Sequence, residues 1–272
     1  QLGILRYGHR PRVGDTFSGG GSIPFEAARI GCDVYASDLN PIACMLTWGA
    51  LNIIGASPDR QAEIEQVQRE VAKAVDKEIT DLGFEHDEQG NRIKAYLYCL
   101  EARCPETGWL VPLAPSWVVS PRQRVIAKLV PNSELKRFDI ELEFGVSASA
   151  LEAAQKGTVS DGEMVYELDG KTYRTSIKTL RGDYRKEDGS TGNRLRLWAK
   201  SDFKPHPSDI FQERMYAIQW ITKDTLNTGR QETYFAAPTQ ADLEHERAVE
   251  KVLAENLSRW QDEGLVPNMA IE

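Results

Sequence analysis

No run in this sequence of 272 residues nears the about 18 consecutive apolar residues of a membrane-spanning helix. No basic-then-apolar leader opens it either, so a cytoplasmic protein without a membrane role is expected. Cysteine is scarce. The four present (Cys32, Cys44, Cys99 and Cys104) are irregularly spaced, which argues against a disulfide framework. Internal repeats and low-complexity tracts are missing. No Gly-Lys-Ser/Thr follows a glycine run, which excludes a phosphate loop, and Pro24 stands where a G-x-G-x-x-G dinucleotide fingerprint needs glycine. A surplus of positive charge is absent too: the formal net charge is −8, unhelpful to a protein that would bind nucleic acid through its phosphates.

What is present is ordinary for a globular chain, with 41% hydrophobic and 27% charged residues and enough length for one large domain or two. The informative stretch runs from Val13 to Pro41. A short approach ends at Asp15, and Gly19-Gly20-Gly21 follow, where the backbone can take positive φ and come close to a ligand. Ser22 to Ile30 reads as a helix, with Pro24 in its first turn and Gly31 placed to end it. Cys32 to Ser37 reads as a strand ending in Asp38, which lies 23 residues beyond Asp15. Strand, glycine turn, helix, strand and acid make a βαβ unit that offers helix N–H groups and a carboxylate to a nucleoside, at the separation of roughly 20 such units produce.

The runs D-T-F-S-G-G-G-S-I-P-F-E-A-A and S-D-L-N-P resemble motifs of S-adenosylmethionine-dependent methyltransferases that act on amino groups of nucleic-acid bases. With C-P-E-T-G-W-L-V-P-L and D-I-F-Q-E-R-M-Y-A-I-Q-W, the chain is similar to bacterial and archaeal DNA adenine-amino methylases described as containing a zinc-ribbon insertion. That resemblance implies S-adenosyl-L-methionine as cofactor, with Asp15, Phe17, Ser18, Gly19, Gly20 and Gly21 on its methionine side. Asp38 would then accept from the ribose hydroxyls, Leu39 would pack on the adenine and Asn40 would complete the site. Thr16 departs from the usual proline. It further implies DNA as partner, with other subunits of a larger modification system. Methylases of this kind flip the target base into a pocket built on Asn/Asp/Ser-Pro-Pro-Tyr/Phe. No Pro-Pro pair occurs here, so no catalytic residue is assigned, and the chain, beginning at Gln1 without Met, reads as a fragment inactive alone.

The expected architecture is α/β: a partial Rossmann-like methyltransferase core over residues 1–94, an inserted strand-rich α+β subdomain over 95–204 and a C-terminal helical segment over 205–272. Asn40-Pro41 should start a helix, apolar nearly all round and therefore buried against the sheet, that ends near Gly55. Ile64, Val67, Val71, Val75 and Ile79 mark the stripe of another helix between Asp59 and Gly83. His86 falls in an acidic surface turn. Tyr96–Cys99 and Trp109–Leu113 read as partner strands around Cys104-Pro105-Glu106-Thr107-Gly108-Trp109. This knuckle resembles half of a zinc ribbon, with Thr107 in place of its second thiolate. Structural zinc needs four ligands and no second cysteine pair exists downstream, so no metal is expected.

Strands are expected at 116–119, 125–130 and 137–144, then a short helix over 148–155 and a hairpin turning at Asp169-Gly170. The loop from Gly182 to Gly192 is polar. Phe211, Met215, Ile218 and Ile221 read as a helical stripe over 211–222, capped by Asp209 with Gln212. Residues 233–236 read as a strand, and Thr239 caps a long final helix closed by Gly264. Charge is uneven: residues 171–204 hold ten Lys/Arg against four Asp/Glu, whereas 241–272 hold three against eight. The basic tract fits either a DNA-facing surface or a solvated loop. Two other functions fit the same residues. One is a guanine-amino RNA methyltransferase, whose first motif Ser22 to Ala28 matches nearly as well; the other is a non-catalytic nucleic-acid-binding or scaffold module that keeps the fold.

Overall fold

The computed structural model describes residues 2–268, with Leu2 described by its backbone alone. The chain divides into two compact units, Gln1–Leu82 and Gly83–Glu272.

In the first unit, the short helix α1 (Leu2–Tyr7) precedes β1 (Arg12–Asp15). The helix α2 (Ser22–Arg29) then crosses to β2 (Asp33–Ala36), which pairs with β1 in parallel so that Asp15 lies opposite Ala36. Pro24 is buried in the first turn of α2, where a missing N–H costs no hydrogen bond. Gly31, at φ 88°, ends the helix. Asn40 caps α3 (Pro41–Gly49) by accepting from Ile42 N–H at 3.0 Å, and one turn of π-helix (Ala50–Ile54) extends it to Gly55. The helix α4 (Pro58–Leu82) completes the unit.

The expected burial of α3 is not found. Ala43 and Thr47 are buried, but Ile42, Met45, Leu46 and Trp48 are exposed. A sheet of two strands, about 5 Å apart, is too narrow to cover a helix that is apolar on every side. The stripe of α4 is uncovered as well, with Val67, Val71 and Val75 exposed.

The second unit is built on a seven-stranded mixed sheet. Its strands in chain order are β3 (Arg92–Arg103), β4 (Leu110–Leu113), β5 (Val118–Ser120), β6 (Val125–Asn132) and β7 (Arg137–Glu143). After α5 (Ala148–Ala154) come β8 (Val159–Ser160), β9 (Glu163–Leu168) and β10 (Lys171–Ser176), which form a separate three-stranded sheet. The helix α6 (Ile177–Arg181) leads to a small hairpin of β11 (Tyr184–Arg185) and β12 (Thr191–Gly192). The chain then returns to the large sheet through β13 (Phe211–Ile221) and β14 (Thr233–Ala236), and ends in α7 (Gln240–Asp262). The order across the large sheet is β14-β13-β3-β4-β7-β6-β5, antiparallel except between β4 and β7. The architecture is thus mixed α/β.

The stretch 211–222, expected as a helix, is instead the long strand β13 beside β3, so 205–272 is not a helical segment. Gln212 does not cap a helix; its side-chain amide donates to the His206 and Asp209 carbonyls. Two register breaks, between Met215 and Ala217 and between Gln219 and Trp220, interrupt the alternation of β13. Met215, Ala217, Ile218, Trp220 and Ile221 are all buried as a result, a pattern close to three- and four-residue spacing. Other expectations match the structure. The Asp169-Gly170 turn joins β9 to β10 with both residues at positive φ, and Thr239 with Asp242 forms a capping box on α7.

The core lies in the second unit. One cluster packs Trp109, Val111 and Phe138 against Met164, Tyr166 and Leu180, joining the large sheet to the three-stranded one. Across β3 and β13, buried Glu101 accepts from Arg214 at 2.9 Å, and the same guanidinium donates to the Phe138 carbonyl at 2.6 Å. Burying the Glu101 carboxylate is tolerable because the half-buried Arg214 guanidinium partners it. Among the described residues no helix is long and apolar enough to cross a membrane.

Candidate functional site

The residues singled out between Asp15 and Asn40 lie together at the carboxyl ends of β1 and β2. Asp15 closes β1 and turns its Oδ1 back to accept from Phe17 N–H at 3.2 Å. The loop is then fixed from two directions. Ser18 N–H donates to the Ser37 carbonyl at 3.1 Å, and Gly19 N–H donates to Asp38 Oδ2 at 2.9 Å. Asp38 Oδ1 accepts from Asn40 N–H at 2.8 Å. The carboxyl of Asp38 is held below its ordinary value by the N–H of Asn40 and then by that of Gly19, so it is ionised at neutral pH.

The three glycines do different work. Gly19 takes φ 51°. Gly21, at φ 80°, forms the N-terminal boundary of α2, and a Cβ there would come within 2.9 Å of Thr47 Oγ1 and 3.0 Å of Thr47 Cα. The loop therefore presses directly on α3. Thr47 Oγ1 in turn donates to Ser18 Oγ at 3.1 Å in a buried contact. Gly20 is different: its φ is not positive, and a Cβ would meet nothing within 4 Å. Nothing in the fold of the chain requires glycine at position 20.

No side chain caps α2, which leaves the N–H groups of Ser22 and Ile23 in its first turn without a capping acceptor. Phe17, two residues before Gly19, is 77% exposed, and Leu39, next to Asp38, is 92% exposed. The arrangement offers backbone donors, an ionised acceptor and apolar surface within one short segment. Free space beside Gly19 and Gly20 lets a ligand approach the main chain. These groups fit a nucleoside carrying an amino-acid tail, and Asp15, Phe17, Ser18, Gly19, Gly20, Gly21, Asp38, Leu39 and Asn40 would hold it.

Thr47 was not among the expected site residues. It lies 29 positions from Ser18, and no local pattern in the sequence marks it.

The knuckle from Cys104 to Trp109 is closed by backbone bonds: Cys104 N–H to the Trp109 carbonyl and Gly108 N–H to the Cys104 carbonyl, each 2.8 Å. Thr107 Oγ1 lies 2.6 Å from the Tyr166 hydroxyl, and Thr175 Oγ1 lies 3.8 Å from Cys104 Sγ. Burial by itself would raise the Cys104 pKa. Hydrogen bonds from the Tyr166 hydroxyl and the Thr107 backbone outweigh it and hold the thiol below its ordinary value. Hydroxyls surround this sulfur, and no group of three or more His, Cys, Asp or Glu side chains is arranged to hold a metal among the described residues. No family model, no curated protein and no solved structure matches the chain.

Proposed function

We propose that residues 12–41 form part of the S-adenosyl-L-methionine site of a methyltransferase with a Rossmann-like core, acting on the exocyclic amine of adenine in DNA. The observation that carries this reading is the 2.9 Å hydrogen bond from Gly19 N–H to Asp38 Oδ2. It holds a glycine turn and an acid side by side at the ends of two adjacent parallel strands, where open α/β sheets bind nucleotides. The N–H groups of Ser22 and Ile23 would face the carboxylate of the methionine moiety. Asp38 has lone pairs to spare beyond its two backbone contacts, and these would accept from ribose hydroxyls. Phe17 and Leu39 would cover the apolar parts of the ligand. The cofactor, once bound, supplies an electrophilic methyl group, while the residues of this chain bind and orient it. No residue of this chain is assigned to the base pocket; a cytoplasmic setting and companion subunits belong to the same proposal.

Calorimetric titration with S-adenosylmethionine and S-adenosylhomocysteine tests it. Binding that Asp38→Ala abolishes is expected. Absence of binding to both, with Asp38→Ala equally silent, would overturn it. A second reading has its own support: both Asp38 oxygens already accept backbone N–H groups, so the acid could be a structural stitch in a non-catalytic module. Under that reading Asp38→Ala loosens the 17–40 loop without changing any affinity.

A further inference from the structure

The tract from Lys178 to Arg194 carries four unpaired cations; Lys186 shares with Tyr184 the face of its hairpin that covers Gly192, and Arg185 between them takes the other face. Asp183 N–H donates to the Lys178 carbonyl at 2.9 Å, and Arg194 N–H donates to the Arg181 carbonyl at 2.9 Å. These two bonds fold α6 and the β11–β12 hairpin into one surface. The aliphatic stem of Arg194 lies over Gly182, where a Cβ would be 2.9 Å from Arg194 Cδ. Tyr184 and Lys186 lie over Gly192 in the same way, at 2.8 and 2.9 Å. The two glycines leave room for these long side chains to lie flat.

Most other cations of the basic tract are already paired: Lys171 with Glu106, Arg174 with Glu163, Arg181 with Asp183, Arg196 with Asp202 and Asp209, and Lys204 with Glu250. Lys178, Arg185, Lys186 and Arg194 are exposed and have no carboxylate partner among the described residues. Of the two acids at the hairpin tip, Asp188 is turned onto the N–H and hydroxyl of Ser190, and Glu187 is exposed. Four free cations persist here on a chain whose net charge is −8. Beside them the ring of Tyr184 is half exposed.

We infer that the Lys178–Arg194 surface, centred on the β11–β12 hairpin, binds the sugar–phosphate backbone of a nucleic-acid strand, with Tyr184 offering its ring to a base. Lysines and arginines that track phosphates beside an aromatic stacking platform are the means by which single strands are held. The inference stands on the second unit alone. Its failure leaves the cofactor reading untouched, because cofactor titration reports on residues 12–41.

The test is fluorescence anisotropy of the whole chain with labelled duplex DNA, single-stranded DNA and RNA of equal length, between about 50 and 200 mM salt. Binding to at least one of them is expected. The tightest identifies the strand type. In Lys186→Glu/Arg194→Glu the affinity should fall at least tenfold, and the slope of log K against log salt should shrink by about 1.8 on duplex or about 1.4 on single strands. Lys136→Glu/Lys156→Glu, an equal charge change elsewhere in the second unit, should leave both unchanged. Should the reversal variant lose its circular dichroism spectrum, Lys186→Gln with a smaller slope change takes its place. No binding to any strand, equal losses in both double variants, or tighter binding to anionic phospholipid vesicles than to any nucleic acid would each overturn the inference.

Discussion

Gly19 and Asp38, 19 residues apart, are joined by a 2.9 Å hydrogen bond from the backbone N–H of one to Oδ2 of the other. The bond links the turn after β1 to the end of β2, so the acid serves the loop as well as any ligand. Asp38→Asn separates these roles. The amide oxygen still accepts one backbone N–H, while the charged acceptor for ribose is lost. Hydrogen bonds to a charged group contribute about 1.5–3 kcal/mol, so S-adenosylhomocysteine should bind roughly 10- to 150-fold more weakly. Hydrogen exchange should rise at whichever of the Gly19 and Asn40 amides loses its acceptor and change little over the rest of 17–40. Unaltered affinity in calorimetry would remove Asp38 from the site.

Gly20 and Gly21 give a paired prediction with opposite outcomes. Gly21→Ala forces a Cβ against Thr47 at a φ of 80°, and such strain costs about 1–3 kcal/mol. Faster hydrogen exchange across β1, α2 and α3 should follow. Gly20→Ala meets nothing within 4 Å and should leave exchange unchanged, or slow it slightly by about 0.4–1 kcal/mol through the unfolded chain. Its effect should appear only in weaker cofactor binding. If Gly20→Ala alters neither exchange nor binding, no ligand approaches the backbone there.

How far the sequence could be read depended on whether the signal was local. The βαβ segment was legible because Gly31 and the Asn40 cap act within a few residues of where they stand. The Asp169-Gly170 turn and the Thr239 capping box were legible for the same reason. β13 was misread because its register breaks against β3 turn an alternating strand into one whose buried positions mimic a helical stripe. Only the partner strand reveals the bulges. The exposure of α3 was equally hidden. A helix rich in Ile, Met, Leu and Trp predicts burial, and the two-stranded sheet beside it offers too little surface. Within the candidate site, the glycine turn and acid were visible, whereas Thr47, which locks Ser18 from α3, was not.

Tyr166 is a hairpin residue of β9 whose hydroxyl meets the knuckle at Thr107. Its ring packs edge-on against Phe138, with centroids 5.7 Å apart, and stacks on Tyr173 at 5.4 Å. Tyr166→Phe keeps both ring contacts and deletes only the hydroxyl. Leaving Thr107 and Cys104 with a partner removed should destabilise the second unit by about 1–3 kcal/mol, seen as a lower urea midpoint. Metal analysis of the purified protein should find no stoichiometric zinc before or after the change. A midpoint that does not move would mean the hydroxyl contributes nothing to joining the two sheets.

Arg196 organises the segment before β13 as a bidentate partner of Asp209, with Nε to Oδ1 at 2.9 Å and Nη2 to Oδ2 at 2.8 Å, and it also holds Asp202. The guanidinium, with help from the His206 N–H, pulls the Asp209 carboxyl down to about 2, and Arg196 lowers Asp202 as well. Both acids are depressed on folding. Their contribution is therefore complete above the ordinary carboxylate value of about 3.9; that of Asp209 is lost as pH falls through about 2, and that of Asp202 as pH falls through its own lowered value. Hydrogen exchange over 196–212, corrected for intrinsic rates, should be flat from neutral pH to about 4 and accelerate below it. Arg196→Gln should exchange faster at neutral pH and shrink that acid-dependent step, because the largest cause holding both carboxyls down is gone and only the weaker attraction of His206, 3.1 Å from Asp202, is left. A variant whose profile still shows the full step would place the acid sensitivity in some other carboxylate.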